Sequence, residues 1–121
     1  MTGLERRLRA AAARLIDRHG KAATLRRTVR SFDPATGETG ETVTDSPVTA
    51  SPPESFDLRR IDGTLVRAGD AVISLAAEGL AVEPAAETDS VILDGASWTI
   101  VQVSRRFAGE APVLYALHLR S

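Results

Sequence analysis

Hydrophobic positions divide the chain into a short helical part and a long β part. Leu4, Leu8, Ala11, Ala12, Leu15 and Ile16 recur every three or four residues with arginines between them, which predicts an amphipathic helix from about residue 3 to 19. Thr2 and Glu5 have the spacing of a capping box, and Gly20 is placed to stop the helix. From Ala23 to Phe32 the period changes to two, with Leu25 and Val29 on one side and Thr24, Arg26, Thr28 and Arg30 on the other. DPATGE at 33 to 38 then predicts a turn, with Gly37 available for a positive φ, and a hairpin strand returning through about 40 to 49. Pro47 in the returning strand points to an edge or a bulge, because proline cannot donate to a ladder.

ASPPESFDLRRIDGTLVRAGD, residues 50 to 70, fits neither period. Connections longer than about 12 to 15 residues without structure of their own are uncommon in compact domains, and are usually functional or disordered. Beyond it, AVISLAA at 71 to 77 reads as a strand and GLAVEPAAETD as a loop. VIL at 91 to 93, an Asp94-Gly95 turn and SWTIVQV at 97 to 103 follow, then RRFAGEAP as a loop and VLYALHLR at 113 to 120 as the last strand. Val113, Tyr115, Leu117 and Leu119 share one face of that strand, and Trp98 and Ile100 share a face of the strand before it. The expected fold is mainly β of the α+β kind: a small antiparallel β-barrel or sandwich of about six strands, one N-terminal helix packed on it, and a long loop after the second strand. The expected organisation is a single domain over 1–121, with the helix at 3–19, a hairpin at 22–50, a long loop or ribbon at 51–69 and the remaining strands at 70–121.

Composition adds limits. A chain of 121 residues buries roughly 65% of the surface it exposes when unfolded, enough for a real core. Its 43% hydrophobic and 26% charged residues are ordinary for a globular protein. With no cysteine, disulfides, thiolate metal sites and cysteine nucleophiles are excluded. Arginines interrupt the N-terminal segment, so it lacks the apolar run of a signal peptide, and nowhere do 18 apolar residues run together. The expectation is a soluble intracellular protein with no membrane partner. The net charge of −1 is unevenly placed: residues 1 to 30 hold nine basic groups against two acidic, +7, and the rest hold six against fourteen, −8. Such a split suits subunits whose two ends meet surfaces of opposite sign.

Convergent enzyme chemistry is missing from the pattern. His19 and His118 are the only histidines, and neither has a second ligand or a nucleophile at working spacing, so no catalytic residue, metal or cofactor is expected. His118 reads as an outward-facing strand residue and His19 as a favourable charge at a helix C-terminus. GETGE at 37 to 41 lacks the strand before and helix after that a phosphate-cradling loop needs. A barrel with a basic helix also suggests an oligonucleotide binder, but the chain has five aromatics, and Trp98 and Tyr115 fall at core positions instead of on a stacking face.

The order RLIDRHGKAATLRR, FDPATGE, IDGTLVRAGD, DGASWTIVQV and APVLYALHLR resembles the head-tail connector proteins of long-tailed bacteriophages and related gene transfer agents, specifically the head completion or stopper family. The resemblance covers nearly the whole chain. It implies a non-enzymatic β-barrel that joins a homo-oligomeric ring, of six or twelve copies, in the neck of a virion or phage-like particle assembled in the host cytoplasm. Adaptor and tail terminator proteins would be its neighbours and packaged double-stranded DNA would fill its channel. In similar proteins a long loop points into the channel and helps retain the DNA, and by order along the chain the matching segment is about Ser51 to Gly69. Within it Arg59, Arg60 and Arg67 would face phosphates or acidic neighbours, Glu54, Asp57 and Asp62 would pair across the ring, and Asp62-Gly63 would turn the ribbon's tip. Arg6, Arg7, Arg14 and Arg18 on the helix would contact an acidic face of a neck partner. A tail terminator or minor tail protein is the alternative, and a nucleic-acid-binding small β-barrel a further one.

Overall fold

The computed structural model describes residues 3–55, 65–80 and 82–121. Helix α1 (Gly3–His19) is followed by strands β1 (Lys21–Phe32), β2 (Thr39–Ala50), β3 (Glu54–Ser55), β4 (Ala71–Ala76), β5 (Asp89–Leu93), β6 (Ala96–Ala108) and β7 (Ala111–Arg120). All seven strands belong to one antiparallel sheet, in the order β2-β1-β5-β6-β7-β4-β3. The fold is therefore mainly antiparallel β with one N-terminal helix, as the period change after Gly20 predicts, and the strand count is seven because residues 54–55 add a short one.

The sheet also meets itself. Ala50 pairs with Leu75, Ser51 N donates to Ser74 O at 2.9 Å, and Ser74 N donates to the Ser51 hydroxyl at 2.7 Å. β2 and β3 thus share one edge of β4, and Pro52 and Pro53 stand between them because neither can donate to a ladder. Pro47 sits opposite Thr24 on β2, whose other edge has no strand along residues 39–49 among the described residues, which is the edge setting expected for it.

Period-two burial builds the core. Alternate residues of β4 and β5 are buried, bringing Ile73, Leu75, Val91 and Leu93 together with Leu25, Ala50, Ile100, Tyr115, Leu117 and Leu119. Trp98 and Val103 pack against this cluster from partly buried positions. At the Asp94-Gly95 turn both residues have positive φ, 52° and 78°, as a two-residue hairpin of this twist requires.

Three expectations are corrected by the packing. RRFAGEAP is not a loop: β6 continues to Ala108 and β7 starts at Ala111, joined by Gly109 (φ 65°) and Glu110, with a register shift at Arg106/Phe107. A single glycine able to take that φ suffices to turn the chain, so the polar residues around it stay in the ladder. His118 is not outward-facing but buried, at 9% exposure, because residues 65–70 fold over that side of β7. Finally, the leucines of α1 do not face the sheet: Leu4, Leu8 and Leu15 are 60%, 42% and 60% exposed, and the buried helix residues are Glu5 and Ile16.

The reason lies at the end of the helix. Gly20 N donates to Ile16 O at 2.6 Å, and a Cβ on Gly20 would lie 2.3 Å from that oxygen and 2.5 Å from Ala50 O. Gly20 does end the helix, by permitting this close approach between α1 and β2. Seated so tightly, α1 presents Ile16 with half-buried Ala12 and Ala13 and leaves the larger leucines outside. Glu5 is buried toward the β6–β7 turn, where Glu110 N approaches its Oε1 at 3.4 Å, and the Thr2 half of the expected capping box lies outside the described residues.

Candidate interaction surfaces

Two aspartates fasten the irregular segments to the strands, each by the same device. Asp70, immediately before β4, accepts Arg120 Nε at 3.0 Å on Oδ1 and Arg120 Nη2 at 2.8 Å on Oδ2. Its Oδ2 also accepts Arg67 N at 2.9 Å and faces His118 Nε2 at 2.7 Å. Since a carboxylate only accepts, His118 donates from Nε2. The Arg120 fork holds the Asp70 carboxyl well below the usual carboxylate range, outweighing burial, which pushes the other way. Asp89, at the start of β5, accepts Arg27 Nε at 2.8 Å and Nη2 at 2.9 Å, Ala85 N at 2.9 Å and the Thr88 hydroxyl at 3.0 Å. Burial alone would raise its pKa, but the Arg27 fork and the two local donors leave it lowered. Each carboxylate therefore closes its own turn and grips an arginine from a distant strand.

The Asp70 grip bears directly on the segment that the sequence singles out. Glu54 and Ser55 pair with Val72 and Ala71, so the chain runs beside the start of β4 there. At Leu65 it is again beside the sheet, where Arg120 Nη2 reaches Leu65 O at 3.4 Å, and Asp70 N donates to Arg67 O at 3.0 Å in the turn that leads into β4. Both ends of the segment are thus fixed next to each other. Among the predicted site residues Glu54 is exposed on β3, and Arg67 uses its backbone for Asp70 while its side chain is exposed. Asp57, Arg59, Arg60, Asp62 and Gly63 lie outside the described residues.

A second surface is the outward face of α1. Leu4, Leu8, Ala11 and Leu15 follow helical spacing down one stripe, and Arg7, Arg14 and Arg18 run along its flank at intervals of seven and four. Arg6, Arg7, Arg14 and Arg18 are all exposed.

The third is an arm. β1 pairs with β5 only over Thr24 to Arg27, whereas its pairing with β2 runs on to Phe32 and Thr39. Residues 28–43 are consequently a two-stranded ribbon, exposed on both faces except for half-buried Thr28, with Val29, Phe32 and Val43 all at least 48% exposed. The Arg26–Asp45 fork, at 2.8 and 3.0 Å, braces its base. At its end Asp33 O accepts Gly37 N at 2.7 Å, Asp33 Oδ1 accepts Ala35 N at 2.9 Å, and Gly37 takes φ 73°. A two-stranded ribbon is marginal by itself in water, so apolar groups on both of its sides mark it as a surface to be covered.

Local pattern suggested the arginines of α1 but not Arg27, Asp70, Asp89, His118 or Arg120. Their partners lie 48 to 62 residues away in sequence, and the only local sign is an aspartate opening each apolar strand. Among the described residues no cluster of three or more histidines, cysteines or carboxylates could hold a metal ion, and no helix is long and apolar enough to cross a membrane. A scan against protein-family models and a search of curated proteins return no match to the chain.

Proposed function

We propose that the protein is a structural component of a phage-like neck, a head-tail connector of the stopper or head completion kind, working as a ring through which packaged DNA passes. The observation that supports this most directly is the fixed base of the 51–69 segment. Ser55 is held beside Ala71, and residues 65–70 are held to the sheet by Asp70 and Arg120, so both flanks of the segment are anchored at one place on the sheet. A loop mounted this way on each of several ring subunits would converge on a channel, with its acidic and basic residues set against DNA and neighbouring loops. The exposed arm and the leucine–arginine face of α1 support an assembly role further, since a protein acting alone has no use for two such surfaces.

The test removes the loop and keeps its stem. A chain lacking residues 56–64 should fold with an unchanged thermal transition, yet particles assembled with it should lose packaged DNA or fail to take tails. Normal DNA retention and tail joining by that deletion would remove the basis of the proposal.

A further inference from the structure

We infer that copies of this chain associate head to tail, with the outward face of α1 on one copy seated on the β1–β2 arm of the next. The inference rests on the ring reading for closure alone; the contact between copies stands without any neck.

Three observations lead to it. Both surfaces expose apolar side chains, Leu4, Leu8 and Leu15 on the helix and Phe32 and Val43 on one face of the arm, where the register places Val43 opposite Thr28 and Phe32 opposite Thr39. Their charges are opposite: α1 carries five arginines against two acids, +3, and residues 28–43 carry Arg30 against Asp33, Glu38 and Glu41, −2. Their lengths also agree. Leu4 to Leu15 spans about 16 Å of helix and the five arm residues beyond Arg27 about 17 Å of strand.

The charges choose the occupant. Pairing α1 with a second α1 sets +3 against +3, and pairing two arms sets −2 against −2, whereas helix on arm matches both charge and apolar surface. Arg14, Arg18, Asp33 and Glu38 make no ion pair among the described residues and so remain for that contact, while Arg30 meets Glu41 only at 3.9 Å. Because the two faces differ, the contact is heterologous and repeats from copy to copy, closing a ring where the rotation allows.

The full chain should self-associate with rising concentration in sedimentation velocity, more at low than at physiological salt, without stopping at two copies. R14E/R18E makes both surfaces acidic, and E38R/E41R makes both basic. Each reverses the charge at the contact and should weaken association roughly tenfold or more, while the melting transition should change little, since these side chains are exposed and the 3.9 Å Arg30–Glu41 pair that E41R breaks is a surface one. Mixing the two variants restores opposite charge at every contact and should restore association. A wild-type chain monomeric at all concentrations, association that saturates at a dimer, or a mixture no stronger than its components overturns the inference. Mass spectrometry of purified particles separates this from the neck proposal: a chain present in particles but never self-associating sinks only the present inference, and one that associates as described but is absent from particles sinks only the other.

Discussion

His118 Nε2 stands 2.7 Å from Asp70 Oδ2, and the same carboxylate takes both arms of the Arg120 fork. His118 and Arg120 leave alternate positions of β7 on the side opposite Leu117 and Leu119, so one strand serves the apolar core with one face and a buried ionic cluster with the other. The cluster is what joins residues 65–70 to the sheet.

Removing that carboxylate takes from Arg120 and His118 the charged acceptor they share in a covered site. Asp70→Ala should therefore destabilise the fold by about 3 kcal/mol, read as a lowered urea midpoint at constant slope. The double variant with Arg120→Ala should cost less than the two single changes together, because each single change already breaks the same pair. Strict additivity would mean the fork is not coupled as described.

Acid should weaken the protein through the same group. The folded pKa of Asp70 is depressed and that of Asp89 is lowered as well, so their contribution is present in full above the unfolded carboxylate value of about 4 and is lost as pH falls below it toward the folded values. Urea midpoints should change little from neutrality to about pH 5 and then fall steeply. In Asp70→Asn the neutral-pH midpoint starts lower and the acid fall should be shallower; parallel curves for variant and wild type would count against Asp70 as a source of the slope.

The two leucine environments should separate cleanly. Leu117 is fully buried, and Leu117→Ala should cost about 2 to 5 kcal/mol through lost contacts and a residual cavity. Leu15 is 60% exposed, so Leu15→Ala should change stability by no more than about 0.5 kcal/mol in the monomer. Thermal melts of dilute samples decide this, and a large loss for Leu15→Ala would return that side chain to the core.

The secondary structure was legible where one period governed a segment. The helix at 3–19, the strand at 23–32 with its DPATGE turn, the AVISLAA strand and the Asp94-Gly95 hairpin all lie where pattern places them. The loop assigned to RRFAGEAP failed because Gly109 and Pro112 interrupt any apolar alternation there, whereas a ribbon that extends past its neighbours needs no buried face. Of the candidate site, the exposed arginines of α1 were readable from their positions between the leucines, but the Arg27–Asp89 and Arg120–Asp70–His118 clusters were not, since nothing local links residues so far apart.

Period, turn residues and charge count specify most of the elements, the antiparallel β character and the division into a basic N-terminal part and an acidic remainder. Tertiary structure decided which side of each element is used. The close approach at Gly20 turned the leucines of α1 outward, and the end of β1–β5 pairing at Arg27 freed the arm. The turn at Asp70 laid residues 65–70 over His118 and made a buried ionic site from what reads as a solvent face. Each of these outcomes depends on where two distant segments meet, and hydrophobic patterning records only that a segment has two faces, not which one its neighbours will cover.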